Sequence, residues 1–400
     1  MVDLAEIEAA RLRIRDSVFY TPCAYSESLS HLAGCNLHLK LENLQMTGSF
    51  KDRGSLNKML QLNEEQREAG VITASAGNHA QGVAHAARLC GVRATIVMPE
   101  TTPLAKIRGT RELGAEIILH GSGYDDASEK AQALQQAQGY TLIHAFDDEQ
   151  IIAGQGTIGL EIIEQVPDID TVVIPVGGGG LISGIGTAIS SLRPQARIIG
   201  VEAARMPSMK KSIAAGQVSP HQNASTLADG IAVARVGQLT LPITRKLARE
   251  IITVTEDEIS NAIMVLLERE KTLAEGAGAA GFAALYNGHI KEVAGKNVVV
   301  VISGGNIDMT MLARILERGL ETDGRIARLK VIIKDKPGNI ATLATLVAGH
   351  QSNILQISQN RDVTEVQLEE TEVELLLETR GKTHVEEIVN SISGHGFKVR

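Results

Sequence analysis

Short apolar runs rich in β-branched residues alternate with longer stretches of helical periodicity over residues 1–316. The runs that we predict to be strands are 37–42, 70–74, 94–99, 115–120, 171–176, 197–202 and 297–302. Several of them are apolar at nearly every position, which is typical of parallel strands covered on both faces. Helical patterns fill the intervals, for example over 81–89 and 256–270. The alternation predicts an α/β fold with open, mostly parallel sheets and helices on both faces.

The pattern changes after residues 317–327, a charged segment with two glycines that we interpret as a linker. Residues 328–400 follow the order strand, helix, strand, strand, helix, strand, which is the βαββαβ order of a ferredoxin-like domain. The positions predicted to form its core alternate in the strands and share one face of each helix: Leu329, Val331, Ile333, Ile340, Leu343, Leu346, Val347, Val373, Leu375, Leu377, Val385, Ile388 and Val389. We therefore predict a second, smaller domain.

Composition removes several classes of protein. The formal net charge of −8 argues against non-specific nucleic-acid binding, which requires cationic surfaces. A hydrophobic fraction of 44% is too high for a disordered chain, and no apolar run reaches the ~20 residues of a membrane span. The three cysteines form neither an even disulfide framework nor a CxxC pair, and the first residues lack a signal-peptide pattern. We expect a cytoplasmic protein that binds neither nucleic acid nor membrane.

Glycine-bearing turns that follow predicted strands are the strongest local signal. In the first, TVVIPVGGGGLISG, the four glycines Gly177–Gly180 separate a strand from a helix that begins near Leu181. Successive glycines let backbone N–H groups wrap a phosphate, and a helix N-terminus adds a partial positive charge. The spacing matches neither G-x-G-x-x-G nor the P-loop. We therefore predict a phosphate site of another kind.

Two more turns and one lysine complete the candidate chemistry. A turn at 75–79, SAGNH, offers hydroxyl, amide and N–H groups at a helix start, which suits a carboxylate. A further turn, SGGN, occupies 303–306, and Lys51 stands beside Phe50 at a predicted helix start. A phosphate cradle, a carboxylate turn and a lysine together indicate pyridoxal 5′-phosphate, which carries both a phosphate and an aldehyde.

The motifs TGSFKDRG, SAGNHAQG, VGGGGLISG and ISGGN, in this order and spacing, resemble those of the tryptophan-synthase-β family of fold type II pyridoxal-phosphate enzymes. Within that family the chain is most similar to the threonine dehydratases (threonine ammonia-lyases), and FDDEQIIAGQGT and TLADGIAV strengthen the likeness. The resemblance implies a two-lobed catalytic domain. The C-terminal residues, with the loop DKPGNI at 335–340, resemble an ACT regulatory domain.

The resemblance also implies residue roles. Lys51 would hold the cofactor's aldehyde as a Schiff base and then act as the base at the substrate Cα. The other cofactor-binding positions would be Phe50 beside the ring, Asn78 at the 3′-oxygen, Gly177, Gly178, Gly179, Gly180 and Leu181 around the phosphate, and Ser303 at the pyridine nitrogen. The carboxylate of the substrate would be bound by Ser75, Ala76, Gly77, Asn78 and His79.

Two of these positions bear on the reaction. A neutral hydroxyl at Ser303 cannot strongly favour a protonated pyridine, so we expect β-elimination rather than transamination. The expected reaction converts L-threonine to 2-oxobutanoate and ammonia, with L-serine to pyruvate as a secondary activity. Serine racemases of the family carry a serine where this chain has Ala76, which has no proton to donate, so we expect little racemisation.

Other departures keep alternatives open. The racemase-like divalent-metal site would use Glu202 and the carbonyl of Met206, but Ser208 stands where an aspartate would be, so we predict no divalent metal and leave a monovalent cation open. Asp52 also occurs in threonine synthases, which act on O-phosphohomoserine. An inactive amino-acid sensor is the third hypothesis.

The likeness to ACT domains predicts partners. Such domains pair through their sheets and bind an amino acid at the interface, so we expect a homodimer or homotetramer with isoleucine or valine as effector. The effector-binding candidates are Asp335, Pro337, Gly338, Asn339, Ile340, Asn353 and Ile354. The sign of regulation, and a biosynthetic or catabolic role, stay open.

Overall fold

The computed structural model describes residues 2–222, 224–361 and 366–400. The chain divides into two compact units, Met1–Ile307 and Asp308–Arg400. The helices of the first unit are α1 (Leu4–Ile14), α2 (Glu27–Ala33), α3 (Lys51–Met59), α4 (Glu64–Ala69), α5 (Asn78–Cys90), α6 (Leu104–Glu112), α7 (Tyr124–Gln138), α8 (Glu149–Gln165), α9 (Gly180–Leu192), α10 (Ser208–Ala215), α11 (Thr240–Leu247), α12 (Glu256–Glu270) and α13 (Gly276–Tyr286). Short 3₁₀ helices lie at Glu42–Leu44 and Asp229–Ile231.

The strands of the first unit form two sheets. They are β1 (Cys23–Tyr25), β2 (Asn36–Leu41), β3 (Val71–Ala74), β4 (Ala94–Met98), β5 (Glu116–Leu119), β6 (Thr141–Leu142), β7 (Thr171–Pro175), β8 (Arg197–Ala203), β9 (Glu250–Val254) and β10 (Asn297–Ile302). The larger sheet has the order β1-β2-β10-β7-β8-β9, and the smaller has the order β5-β4-β3-β6. The antiparallel β1 is the exception in a set of otherwise parallel pairs.

The predicted α/β architecture is confirmed. Every run predicted as a strand in this unit lies on one of the observed strands, and β7 and β4 are buried at all positions because helices cover them. The pattern missed β1, β6 and β9. Two of these are only two or three residues long, too short to show a period, and β9 begins at an exposed glutamate.

A cluster of buried charges joins α3 to two other elements. The guanidinium of Arg53 donates to both carboxylate oxygens of Glu42 at 2.8 Å and to those of Glu161 at 2.6 and 2.9 Å. The ammonium of Lys40 also donates to Glu161 at 2.6 Å, and all four side chains are almost completely buried. Burial raises the pKa of Glu42, but the charge and hydrogen bonds of Arg53, the charge of Lys40 and the hydrogen bond from Thr21 together lower it more, so this carboxyl stays ionised. The cluster fixes α3 against the end of β2 and against α8.

The second unit comprises α14 (Met309–Thr322), β11 (Ile326–Lys334), α15 (Asn339–Gly349), β12 (Asn353–Asn360), β13 (Glu370–Glu378), α16 (Lys382–Gly394) and β14 (Lys398–Val399). Its sheet is antiparallel with the order β12-β13-β11-β14. Leu329, Val331, Leu343, Val373 and Ile388 belong to the core between this sheet and the helices α15 and α16. The βαββαβ order predicted from the sequence is confirmed, and it gives a ferredoxin-like unit.

The segment 317–327, which the sequence analysis interpreted as a linker, lies mostly within secondary structure. Helix α14 runs to Thr322, and β11 already begins at Ile326. Asp308 caps α14 by accepting N–H groups from its first turn, and Ile315 is buried, so helix-favouring neighbours outweigh the glycine at position 319. Gly324, with φ of +69°, is the residue that breaks the chain direction.

Among the described residues, no helix combines sufficient length with sufficient apolarity to cross a membrane. The longest helix of the first unit, α8, spans 17 residues and carries charged groups in its buried cluster.

The buried charge cluster gives the first prediction. We expect Arg53→Met to lower the free energy of unfolding by about 3–5 kcal/mol, because it leaves Glu42 buried without its cation and Glu161 with Lys40 alone. Urea unfolding followed by circular dichroism measures this loss. The matched control is Arg11→Met, whose ion pair with Glu164 is more than one-third exposed and should cost less than about 1 kcal/mol. Equal losses in the two variants would contradict the assignment.

Candidate active site

Lys51, Ser303 and the glycine turn at 177–180 follow the carboxyl ends of strands in the larger sheet. Strands β2, β10 and β7 are parallel neighbours, so their carboxyl ends lie together. A backbone bridge joins Ser49 to Gly304, and main-chain hydrogen bonds run from Phe50 N to Ser303 O at 3.1 Å and from Gly305 N to Gly48 O at 2.9 Å. These contacts hold the segment before Lys51 against the turn that follows β10. The lysine and Ser303 therefore belong to one site.

Lys51 is the first residue of α3 and is half-buried. Its Nζ donates to the carbonyl of Ala145 at 2.7 Å and lies 5.0 Å from the ring centroid of Phe50. Burial lowers the pKa of Lys51 to about 8, against the charge of Glu275, which raises it. A larger fraction of the Lys51 amine is therefore neutral, and so nucleophilic, near physiological pH.

The glycine turn between β7 and α9 is built for close approach. A Cβ added to Gly178 would lie 2.3 Å from the Phe146 ring, and one added to Gly180 would lie 2.9 Å from Phe146 Cβ. Gly179 caps α9 with φ of +95°, and no side chain of the described residues takes over that role. The carbonyl of Gly178 accepts from Thr240, so the turn presents its amides and the helix N-terminus on another side. Phe146 follows Ala145, the partner of Lys51, and so joins this cradle to the lysine.

The carboxylate turn lies at the start of α5. Gly77 is the N-cap, and apart from Gly77 itself and its chain neighbours no heavy atom of the described residues lies within 4 Å of the position that a Cβ would take there. The Oγ of Ser75 accepts from Gly77 N at 3.2 Å, and the half-buried Ala76 packs against the core of the smaller sheet. The N–H groups of the first turn remain the natural ligands for an anion.

The side chain of His79 does not take part in the carboxylate pocket that the resemblance implied. Its Nε2 lies 3.0 Å from the carbonyl of Ile143, and the ring is buried. Burial, with the nearby charge of Lys51, lowers the pKa of His79 to about 3, so the ring is neutral and Nε2 donates. Of the groups of His79, only the main-chain N–H can bind an anion at this turn.

Asn78 lies in a chain of three polar side chains. Its Nδ2 donates to Glu275 Oε1 at 2.6 Å, and its Oδ1 accepts from Asn306 Nδ2 at 2.5 Å. Burial, followed by the charge of Asp229, raises the pKa of Glu275 to about 7. The sequence analysis placed Asn78 in the site but missed this arrangement, since its partners are far away along the chain.

The remaining predicted positions are also located by the structure. Ser303 is buried at the end of β10, and Leu181 is buried in the first turn of α9. The carboxylate of Glu202 accepts N–H groups from Met209 at 2.7 Å and from Lys210 at 2.9 Å, which makes it a cap of α10. Burial raises the pKa of Glu202 to about 7.

The effector-binding candidates fall into two groups within the second unit. Asp335, Pro337, Gly338, Asn339 and Ile340 follow the carboxyl end of β11, whereas Asn353 and Ile354 begin β12. Both strands are antiparallel to β13 and so run in the same direction, which places the two groups at opposite ends of this sheet. One copy of the unit therefore does not bring them together.

The chain is similar to several known proteins. A family model described as pyridoxal-phosphate dependent enzyme matches residues 14–304. An L-threonine ammonia-lyase of Thermotoga maritima is 48% identical over 400 residues, covering 100% of this chain and 99% of its own. Another from Geobacter sulfurreducens is 46% identical over 399 residues, covering 100% of this chain and 99% of its own. The processed form of threonine deaminase isoform 2 from Solanum lycopersicum has a TM-score of 0.75 at 40% identity, covering 79% of this chain and 94% of that structure.

The fold and the site define a pyridoxal-phosphate-dependent α/β enzyme. The chain belongs to the family of pyridoxal-phosphate dependent enzymes, because the family model matches well over half of the chain and the relatives match its whole length. The residues present fit the cofactor. Phe146 packs so closely against Gly178 and Gly180 that neither position has room for a Cβ, α9 offers its N-terminus to a phosphate, and Lys51 offers an amine of lowered pKa.

The pKa of Lys51 gives the second prediction. We expect the rate at which pyridoxal phosphate attaches to the cofactor-free protein to rise with pH through about 8, since the neutral amine is the nucleophile. In Glu275→Gln the midpoint should move to lower pH, because the carboxylate charge that raises the pKa of Lys51 is gone. The change in visible absorption after mixing measures the rate, and Lys51→Ala serves as the blank. An unchanged or higher midpoint in Glu275→Gln would contradict the coupling.

Proposed function

We propose that the protein is a threonine ammonia-lyase, which converts L-threonine to 2-oxobutanoate and ammonia and L-serine to pyruvate more slowly. The observation that carries the proposal is the position of Lys51, whose amine lies at the sheet edge shared with Ser303 and the glycine cradle. Relatives named for this activity match the entire chain at 46–48% identity, which supports the same substrate here.

Pyridoxal phosphate, when bound, supplies an aldehyde for the substrate amine and a ring that accepts electrons from Cα. Lys51 removes the proton from Cα, and its lowered pKa of about 8 suits it for this role near neutral pH. The first-turn N–H groups of α5 hold the substrate carboxylate at the open space beside Gly77. The Cα hydrogen is thereby oriented toward the lysine.

Two neutral side chains limit the outcome to elimination. Ser303 offers a hydroxyl rather than a carboxylate to the cofactor ring, which disfavours a long-lived carbanion. Ala76 has no proton for the opposite face of Cα, which disfavours racemisation. The Cα–H and Cβ–OH bonds break with loss of one water, and one water is regained when ammonia leaves. The net reaction is L-threonine to 2-oxobutanoate plus ammonia.

The third prediction tests the activity. We expect the purified protein with pyridoxal phosphate to release 2-oxobutanoate from L-threonine, and Lys51→Ala to lower kcat by about 10³-fold because the base is lost. The control is Lys58→Ala, which removes another lysine of α3 that is paired with Asp148. A faster reaction with O-phosphohomoserine would favour a threonine synthase. Absence of turnover with either substrate would favour an amino-acid sensor.

We also propose that the second unit is an ACT regulatory domain that binds isoleucine or valine between two copies of the chain. Strand β12 lies at the edge of the sheet, and its Leu355 and Ile357 side chains are about half exposed. If two such edges pair antiparallel, the start of β12 in one copy meets the end of β12 in the other. Asn353 then lies near the partner's Asp335, which unites the two groups of effector candidates.

The proposed assembly is a homodimer or homotetramer, and pairing through β12 explains why apolar side chains stay exposed on an edge strand. We place the protein in the cytoplasm. The three cysteines are free in the structure, which suits a reducing compartment.

The fourth prediction concerns this regulation. We expect the double variant L355K/I357K to lose the response of activity to isoleucine or valine and to sediment as a smaller species, since like charges would face each other across the paired edges. Activity without effector should remain. Leu104→Lys is the control, because Leu104 is 82% exposed on α6 of the first unit. A variant that assembles and responds like the unmodified protein would place the effector elsewhere.

A further inference from the structure

We propose that Asn306 is a positioning residue that fixes which way the Asn78 amide faces, so that Asn78 presents an N–H and not its carbonyl to the bound cofactor. The inference rests on the proposed pyridoxal-phosphate chemistry and deepens it. It assigns a role to the last residue of the SGGN turn, whose function neither the glycines nor Ser303 explain.

The polarity of the chain of side chains is set by a backbone group. Asn306 Nδ2 donates to the main-chain carbonyl of Thr47 at 2.8 Å, and a carbonyl can only accept. The amide of Asn306 therefore has its nitrogen, not its oxygen, on this side. The same nitrogen carries a second hydrogen and donates it to Asn78 Oδ1, with 2.5 Å between the nitrogen and the oxygen.

This second contact determines the orientation of Asn78. With Oδ1 held by Asn306, the Nδ2 of Asn78 must face the other way, where it donates to Glu275 at 2.6 Å. That bond takes one of the two hydrogens of Nδ2 and leaves the other for a bound group. The amide nitrogen lies beside the turn after β10, since a Cβ on Gly304 would be only 3.1 Å from it.

Glu275 alone cannot hold this orientation at every pH. When ionised, Glu275 only accepts and so requires the N–H of Asn78; when protonated, it can also donate and would tolerate the flipped amide. Burial and the charge of Asp229 raise the pKa of Glu275 to about 7, against the hydrogen bond from Asn78 and the charges of Lys106 and Lys51, which lower it. In the pH range where Glu275 titrates, Asn306 therefore keeps the Asn78 amide in one orientation.

The experiment compares two variants, and it is the fifth prediction. Asn306→Asp keeps the shape but replaces the donor by a carboxylate, which would face the carbonyl oxygens of Thr47 and Asn78 and favour the flipped amide. We expect its dissociation constant for pyridoxal phosphate to rise about 10- to 100-fold. Asn306→Ala leaves Asn78 oriented by Glu275, so the dissociation constant should rise less than about 10-fold above pH 7. The dissociation constant of this variant, divided by that of the unmodified protein, should grow as pH falls below 7.

The readout is equilibrium dialysis of pyridoxal phosphate against the cofactor-free protein from pH 6 to 8, with thermal unfolding to verify the fold. Asn287→Asp is the matched control, because Asn287 also donates to a main-chain carbonyl, that of Ala283, at 2.8 Å. The inference is wrong, and Asn306 only fills space, under either of two results. One is that Asn306→Ala binds pyridoxal phosphate as weakly as Asn306→Asp does. The other is that the dissociation constant of Asn306→Ala relative to the unmodified protein does not depend on pH. The dialysis does not depend on turnover, so a failure of the threonine assay alone rejects the proposed function and not this inference.

Discussion

The placement of Arg53 between two buried carboxylates is the constraint on which the site depends. Isolated ions in a protein interior are costly, so Glu42 and Glu161 can be buried only with the cations Arg53 and Lys40 beside them. Arg53 lies two residues after Lys51 on the same helix. The requirement to keep these charges paired therefore also sets the position of the lysine amine.

Close packing of α3 reinforces this placement. A Cβ on Gly154 of α8 would lie 2.6 Å from the Cα of Gly54, and a Cβ on Gly82 of α5 would lie 3.1 Å from Lys51. Glycine at these positions lets the three helix backbones approach more closely than any side chain would permit. The amine thus projects from a helix that is held by charge on one side and by backbone contact on two others, while its own surroundings keep its pKa low enough for chemistry.

The sequence predicted those features that depend on neighbouring residues. Apolar runs located most strands, and the glycine turn at 177–180 and Lys51 at a helix start could be recognised because each depends on a few adjacent residues. The partners of Arg53 and of Asn78 could not, since Glu161 and Glu275 are 108 and 197 residues away along the chain. The buried ring of His79 and the helix across the expected linker were likewise decided by tertiary contacts. The proposed pairing of the effector candidates requires a second copy of the chain, which one sequence does not display.

The main-chain contacts between the segments 48–50 and 303–305 have a consequence for how this scaffold changes its chemistry. Hydrogen bonds between peptide groups are indifferent to side-chain identity, so they hold Lys51 and position 303 at a fixed separation whatever residue stands there. In the proposed mechanism, single exchanges at 303 or at 76 then alter the fate of the reacting carbon without displacing the base. A scaffold of this kind separates the placement of a catalytic group from the choice of reaction, and new activities can arise from it one residue at a time.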